Sequence, residues 1–330
     1  MGDVKTGAQA EVYLDFESAL NTVKGTITPR KIGIVKESWD GTRKLIPNPT
    51  IRPDGNKADP ATGNNSAMIP FEHVATIDSV PWFFRWFCHN LATTGAGDPY
   101  THVSKFNLST ATIMSAVGEV KFGTSLYKRF KGGRLKKLSI KVSSEGFLIL
   151  SLDGVATTVY DGASGSFYSA ETPTDWTAST PFDMSQLTAA GSITVGGVLV
   201  GYIRSLDIEG AVNLGEDDYR ADGTGNRSGI PVGDLDLKLK LSIAFEGATQ
   251  YAIMQRAVTS KMAMVINYSQ GANRTLAISI PRGTVQTALP AVESSAGIYK
   301  DIEILASYDA SALSSLVFTT INANPGTLYA

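Results

Sequence analysis

Apolar and polar residues alternate along much of the chain. From Leu235 to Phe245 every second residue is apolar, and the residues between them are mostly charged or small and polar. A period of two places one set of side chains on each face of a β-strand. Similar alternation marks Leu138–Val142, Met262–Tyr268, Leu276–Ile280 and Ile302–Tyr308. The chain is therefore predicted to be mainly β, with strands that bury one face and expose the other.

Helical patterns are few, and the clearest covers Val80–Leu91. Ser79 precedes it as a candidate N-cap, and Pro81 sits in the first turn, where it costs no backbone hydrogen bond. Aromatic residues follow at a spacing of four, which aligns them along the helix surface. We expect this two-sided apolar helix to cover a sheet and to form its core through Trp82, Phe83, Trp86 and Phe87. A second helix is predicted at Gly247–Val258, with Tyr251 and Met254 on its buried stripe.

Short motifs recur in the same order in the two halves of the chain. KIGIVKES begins at Lys31 and LVGYIRSL begins at Leu199, and their glycines lie 168 residues apart. Arg52 and Arg220, each followed by a residue and then Asp-Gly, are separated by the same distance. The two predicted helices are offset by about 170 residues, and the strands at Leu138 and Ile302 by about 164. Together these spacings predict an internal duplication.

The duplication suggests a division of the chain into four parts. Residues 1–27 are expected to form an N-terminal arm that is ordered only when it docks on something. Residues 28–162 and 191–330 are predicted to be two similar β-domains, the second with a short C-terminal tail. Between them, residues 163–190 are rich in Gly, Ser and Thr and are interpreted as a linker with apolar anchors at Trp176 and Phe182.

Composition and charge narrow the function. A net charge of −2 gives no overall attraction to nucleic acid or to membranes. Cys88 is the single cysteine, so no intrachain disulfide is possible, and we interpret it as a small buried hydrophobe. No signal peptide pattern and no membrane-spanning run is found, so we expect a soluble protein made in a cytoplasm.

Residue patterns for catalysis or cofactor binding are absent. The sequence contains no Walker A motif and no GxGxxG after a strand. Its three histidines, His73, His89 and His102, do not lie near a nucleophile-like turn. The acidic cluster Glu216–Asp218 is interpreted as a solvated loop rather than a cation site. The basic run Lys128–Lys137 is either a solvated hairpin or a surface for DNA or an acidic partner. We therefore expect no enzyme, metal or cofactor.

The order of these features resembles the tail tube, or major tail, protein of long-tailed bacteriophages. Each half has an opening strand, a polar loop, a second strand, a helix and a hairpin of long strands. The likeness covers most of residues 28–320, although the first opening strand is weak and the linker is long. The segments that carry it are 43–55, 62–74, 80–87, 193–210, 219–247 and 298–311.

The resemblance implies a structural virion protein assembled in the host cytoplasm. Such proteins have antiparallel β-sandwich or barrel-like domains flanked by a helix, here two in tandem. The domains close into rings that stack into a tube, through which double-stranded DNA leaves the capsid. Six domains with four strands each would give a barrel of about 24 strands and a backbone diameter of roughly 48 Å. With two domains per chain the ring is expected to be a trimer with pseudo-sixfold symmetry, and a hexamer is the alternative.

The expected partners also follow from the resemblance. They are further copies of the chain, a tape measure protein in the lumen, and tail terminator and distal tail proteins at the two ends of the tube. A sheathless tail is expected on the same basis, with no insertion of this chain into a membrane.

Two matching polar loops are the candidate assembly site. We call Arg52–Ser66 the first loop and Glu216–Gly229 the second loop. The family uses this connection to reach the neighbouring ring, so both loops are expected to become ordered only in the tube, with the acidic cluster near the basic run. The candidate residues are Arg52, Asp54, Asn56, Asp59, Asn64, Asn65, Glu216, Asp217, Asp218, Asn226 and Arg227.

Two other functions are kept as alternatives. A distal tail protein uses the same domain in a single ring that does not extend into a filament. A carbohydrate-binding or hydrolytic β-sandwich would need a site of converging polar groups, and the sequence offers no such pattern.

Overall fold

A computed structural model describes residues 10–123, 126–143, 145–162, 168, 172–187, 193–199, 203–219, 223–244, 261–286 and 299–329. Strands make up 58% and helices 6% of the structure. The prediction of a mainly β, sandwich-like fold is confirmed. The second predicted helix, with Tyr251 and Met254, lies outside the described residues.

The first half and the linker contain one α-helix among the described residues, α1 (Val80–Cys88). The strands of this part are β1 (Ala10–Phe16), β2 (Arg30–Ile32), β3 (Ile34–Glu37), β4 (Asp40–Ile46), β5 (Ala61–Met68), β6 (Phe71–Val74), β7 (Ala92–Thr94), β8 (Tyr100–Lys105), β9 (Ala116–Phe122), β10 (Leu126–Ser143), β11 (Ile149–Ala156), β12 (Thr158–Gly162) and β13 (Thr174–Asp175).

The described residues of the second half form strands and, near their end, a short 3₁₀ helix at Gly326–Tyr329. Another 3₁₀ turn lies in the linker at Met184–Gln186. The strands of the second half are β14 (Ile193–Val195), β15 (Val198–Leu199), β16 (Ile203–Leu214), β17 (Val232–Ala244), β18 (Lys261–Ser269), β19 (Thr275–Gln286), β20 (Tyr299–Ala306) and β21 (Val317–Asn322).

One antiparallel sheet, which we call the shared sheet, runs through both halves. Its strand order is β3, β6, β11, β10, β16, β17, β20, β19. The halves join where Lys137–Ser143 of β10 pairs with Ser205–Ala211 of β16. The first four strands in this order come from the first half, and the last four come from the second half. In each group the first two strands along the chain pair with each other, as β3 with β6 and β16 with β17. The second of them pairs with the last strand of the group along the chain, β11 or β20, which in turn pairs with β10 or β19. The two halves therefore contribute the same unit, placed side by side in the same orientation.

A second layer packs behind the shared sheet. In the first half it contains β2, β1, β9, the beginning of β10, and β12. In the second half β14, β18 and β19 pair in turn, and β21 connects β19 to β8 of the first half. Strand β10 passes from one layer to the other at Gly132, whose φ of +64° suits glycine. A Cβ there would lie 2.6 Å from the Thr157 side chain, so the chain needs glycine for this bend.

The core lies between the layers and is organised around α1. Trp82 stacks on Phe16 of β1 with ring centroids 4.4 Å apart, and Phe83 contacts Phe71 of β6 at 6.0 Å. Both tryptophans and both phenylalanines expected in the core are at most 1% exposed, and they are Trp82, Phe83, Trp86 and Phe87. Aromatic side chains on opposite sides of one short helix thus bind both layers together.

The two ends of α1 differ from the sequence prediction. Ser79 makes no side-chain cap, because its hydroxyl is engaged by His73 Nε2 at 2.7 Å and by the Thr76 hydroxyl at 2.9 Å. The helix stops at Cys88 rather than Leu91, because His89 takes a left-handed conformation with φ of +57°.

The strand pair β10–β11 of the first half and the strand pair β19–β20 of the second half occupy equivalent places, about 150 residues apart. Thr157 N donates to the Lys131 carbonyl at 3.0 Å, and Ser307 N donates to the Arg282 carbonyl at 2.8 Å. This geometry relates β11 to β20 and β10 to β19. The correspondence expected from sequence between the strands at Leu138 and Ile302 is therefore wrong, since both alternate in the same way and alternation does not identify a strand within a repeat.

The outer segments pack on the first half. Residues 10–16, inside the predicted arm, form β1, which pairs with β2 and β9 and buries Val12, Leu14 and Phe16. Trp176 and Phe182 of the predicted linker are also buried. Tyr329 of the second half is fully buried against Trp176 and His102 of the earlier part of the chain. The division into an arm, two domains and a linker remains a prediction.

Candidate assembly surfaces

The shared sheet exposes a polar face opposite the core. Across the join between the halves, Lys137 Nζ lies 2.8 Å from Glu209 and Lys141 Nζ lies 3.6 Å from Asp207. The next strand adds Lys238, 3.5 Å from Asp236. These pairs are exposed and individually weak. Their effect is to place both signs of charge side by side, so this part of the face has no strongly basic patch.

Strand β3 forms one edge of the shared sheet. It pairs with β6 along one side, and no pairing of its other side occurs within the residues that the structure describes. Val35, at an irregularity in this pairing, is 56% exposed. An open strand edge with an exposed β-branched side chain is suited to pairing with another chain.

The first loop is part of a hairpin formed by β4 and β5. Its tip is exposed, and there Arg52 forms an ion pair of 2.7 Å with Asp54, whose Oδ1 also accepts from Asn56 N at 3.1 Å. Asp59 precedes β5, whereas Asn64 and Asn65 belong to that strand, opposite β4. The polar composition of the first loop therefore did not indicate that its last part is a strand.

Apolar side chains project from the same hairpin. Leu45 and Ile46 at the end of β4 are 61% and 50% exposed, and Ile51 at the tip is 94% exposed. Neighbouring large apolar side chains that are exposed together are typical of contact surfaces.

The second loop lies against the first half of the same chain. Arg227 is 4% exposed, and its Nη1 donates to the Ala67 carbonyl at 3.0 Å and to the Ala156 carbonyl at 2.9 Å. Its Nε donates to the Glu216 carbonyl at 2.6 Å within the loop. The guanidinium therefore ties together the second loop and the ends of β5 and β11.

Further hydrogen bonds connect this loop to the β4–β5 hairpin. Asn65 N donates to the Gly225 carbonyl at 2.8 Å, and its side-chain amide donates to Asn226 Oδ1 at 3.2 Å. Tyr219 donates its hydroxyl to the Asn65 carbonyl at 3.0 Å, and Arg43 Nη2 donates to the Thr224 carbonyl at 2.8 Å. The second loop thus continues the edge of β5 beyond the point where β11 ends.

The acidic cluster and the basic run meet inside one chain. Lys136 Nζ lies 2.5 Å from Glu216 Oε1. Asp217 and Asp218 support the loop through their backbone, since their carbonyls accept from Tyr219 N and Ser228 N. At the other end of the basic run, Lys128 lies 2.6 Å from Glu37. Much of the basic run is therefore used within the fold.

Three further residues hold the second loop in place, namely Arg43, Arg134 and Tyr219. Arg134 donates to the Ile230 carbonyl, at the end of the second loop. The carbonyls to which Arg43, Arg134 and Tyr219 donate lie 181, 96 and 154 positions away, so no local spacing in the sequence points to these residues.

The titratable residues considered for chemistry are buried in the core. Burial lowers the pKa of His73 and of His89 to about 4, the latter with help from Arg134. Burial also raises the pKa of the Cys88 thiol above its usual range, which disfavours the thiolate. In the described part of the chain, no group of three or more potential metal ligands is found. Nor does any helix there have the length and apolar character that crossing a membrane requires.

A model of a protein family described as phage tail tube protein matches residues 7–312, nearly the whole chain. No curated protein matches the chain.

Proposed function

The chain belongs to the phage tail tube protein family, and we propose that three copies close into a ring and that stacked rings form the tube of a phage tail. It is a structural component of the virion tail that acts by assembly with copies of itself. The family is structural, which supports a role without catalysis.

The observation that carries the proposal is the join between β10 and β16. There, one four-stranded unit pairs edge to edge with the next unit in the same orientation. A contact that places like units head to tail closes into a ring when the rotation from one unit to the next divides a full turn evenly, and otherwise it gives an open filament. We infer that the open edge of β3 joins the opposite end of the shared sheet in the next copy. Three chains then give a barrel of about 24 strands, and closure leaves no strand edge free.

The polar face of the shared sheet is proposed to line the channel. Its other face is occupied by the core, including Leu138, Ile140 and Val142. On the polar face Lys137 and Lys141 of β10 lie next to Glu209 and Asp207 of β16. Attraction of DNA grows with the number of phosphates that a protein neutralises. Lysines that already face carboxylates give little such attraction, which suits a channel through which DNA must pass.

Stacking is proposed to use the tip of the β4–β5 hairpin, including Arg52, Asp54, Asn56 and Asp59. All four belong to the exposed segment between β4 and β5, next to Ile51. A tape measure protein inside the tube, terminator and distal tail proteins at its ends, assembly in the host cytoplasm and a sheathless tail are proposed from the family resemblance.

Negative-stain electron microscopy of the purified chain tests this proposal. Hollow filaments of uniform width, made of stacked rings, are the expected result. Single rings that never extend would instead favour the distal tail function. A monodisperse monomer under all conditions that promote tail assembly would overturn the proposal.

A further inference from the structure

Within one chain, the second loop occupies a corner of the first half. The corner is formed where the Thr157 backbone N–H donates to the Lys131 carbonyl. Both residues line a cleft together with Asn226 and Arg227 of the second loop. The position that follows, Thr158, is polar and belongs to the same cleft. The contact is made mainly by hydrogen bonds to backbone carbonyls.

The second half has the same corner. Here the Ser307 backbone N–H donates to the Arg282 carbonyl at 2.8 Å, and the Ser307 hydroxyl donates to the same carbonyl at 3.3 Å. Here the next residue is Tyr308, 58% exposed, and the turn that follows carries Leu313, 51% exposed. The corner that the second loop covers in the first half is thus apolar in the second half.

The β4–β5 hairpin is the counterpart of the second loop. Both connect the first and second strands of a unit and end at an Ile-Pro pair, Ile69-Pro70 in one and Ile230-Pro231 in the other. Three residues before that pair the second loop has Arg227, whereas the hairpin has Ser66. The hairpin therefore lacks the guanidinium that anchors the second loop, and it exposes Leu45 and Ile46 instead.

We propose that, in the ring, the β4–β5 hairpin of a second copy docks on the apolar corner at Ser307–Leu313. The docking brings Leu45 and Ile46 of one copy onto Tyr308 and Leu313 of the next. Junctions within a chain are then held by Arg227, and junctions between chains are held by apolar burial. This inference rests on the proposed ring. In a ring with pseudo-sixfold symmetry, the β4–β5 hairpin of one copy lies on the second half of the neighbouring copy in the same way as the second loop lies on the first half of its own chain. The hairpin tip remains available for the neighbouring ring.

Disulfide trapping tests the contact in assembled tubes. The full chain is prepared as the double variant Ile46→Cys and Tyr308→Cys, and separately as Leu45→Cys and Leu313→Cys. Cys88 is fully buried and does not compete. After mild oxidation, denaturing gels without reductant should show dimers and trimers and no larger species, because lateral links close after three chains. The matched control, Leu126→Cys with Tyr308→Cys, uses an equally exposed leucine and should stay monomeric on the gel.

Three results separate this inference from the proposed function. Tubes with cross-links that stop at three chains support it. Tubes whose cross-links extend without limit, or are no more abundant than in the control, overturn the lateral contact and leave the tube intact. If the unmodified chain forms no rings, the proposed function and this inference fail together.

A second pair of substitutions keeps the test decisive if the cysteine variants do not assemble. Tyr308→Ser and Leu313→Ser change exposed positions and should leave the circular dichroism spectrum unchanged. They should raise the protein concentration needed for tube formation by about tenfold or more. An unchanged concentration would rule out the apolar corner as an interface.

Discussion

At the scale of residues, burial decides what the polar side chains do. Arg227 lies in a polar loop that the sequence predicts to be mobile, yet it is 4% exposed and donates to the carbonyls of Ala67 and Ala156. Arg52, in the matching loop of the first half, lies at an exposed tip and forms an ion pair with Asp54, two positions away. Composition predicted two equivalent loops, and it does not distinguish an arginine that contacts solvent from one that satisfies buried carbonyls.

Replacing Arg227 with alanine should destabilise the protein strongly. The change leaves the Ala67 and Ala156 carbonyls without this donor, at an expected cost of about 3 kcal/mol in the free energy of unfolding. Urea denaturation followed by tryptophan fluorescence measures the loss. The matched control is Arg52→Ala, which should not move the denaturation midpoint. Equal midpoints for the two variants would contradict the anchoring role of Arg227.

Buried histidines should make the fold sensitive to acid. Burial, aided by Arg134, lowers the pKa of His89 to about 4, whereas an unfolded histidine titrates near 6.5. Between these values the unfolded chain binds more protons, so stability present above about pH 6.5 is lost as the pH falls toward 4. Burial raises the pKa of Asp15 and Glu17, and these groups act in the opposite direction.

The contribution of His89 is therefore measured as the difference in the pH dependence of stability between the parent protein and a variant that lacks this histidine. His89→Asn is a suitable variant, because asparagine tolerates the left-handed backbone at this position. The stability of the parent should decline more steeply than that of the variant between pH 6.5 and 4 in denaturation experiments. Parallel pH profiles would show that His89 does not titrate as its burial requires.

At the scale of elements, alternation predicted the strands that bury one face, and tertiary pairing supplied the rest. Strands β17, β18, β19 and β20 follow the period of two seen in the sequence. Strand β5 does not, since Asn64 and Asn65 lie in it through pairing with β4. The bend of β10 at Gly132 and the early end of α1 at His89 depend on backbone conformations that periodicity does not report.

Helix α1 should carry much of the stability of the core. Trp82 is fully buried and stacks on Phe16, so Trp82→Ala leaves a large cavity and should cost about 3–5 kcal/mol. Phe87→Ala should have a similar effect. Leu126→Ala is the control, since Leu126 is 54% exposed and its truncation leaves no cavity. Thermal denaturation of the three variants provides the comparison, and a Trp82→Ala protein as stable as the control would reject the role of α1.

The hairpin tip should be needed for stacking and not for folding. Replacing residues 48–60 with a Gly-Ser turn keeps β4 and β5 but removes Ile51 and the exposed charges. Surface loops tolerate such changes in length, so the shortened chain should fold and form rings that do not grow into filaments. Electron microscopy that shows long tubes of the shortened chain would remove the tip from the stacking interface.

At the scale of the whole molecule, the two halves form one interlocked body. They share the sheet at β10 and β16, they meet again where β8 pairs with β21, and the second loop is anchored on the first half. The motif spacing predicted the duplication, and the side-by-side placement of the units comes from the observed pairing. A chain that already contains one complete junction needs only one more kind of contact to close a ring.

The number of chains in a ring tests this arrangement most directly. Cryo-electron microscopy of the purified tubes, supported by native mass spectrometry of single rings, measures it. Three chains of 330 residues per ring, with six similar four-stranded units around the channel, are the expected result. Six chains per ring, or a ring in which β10 and β16 of one chain are not neighbours, would contradict the proposal that the shared sheet is one third of the barrel.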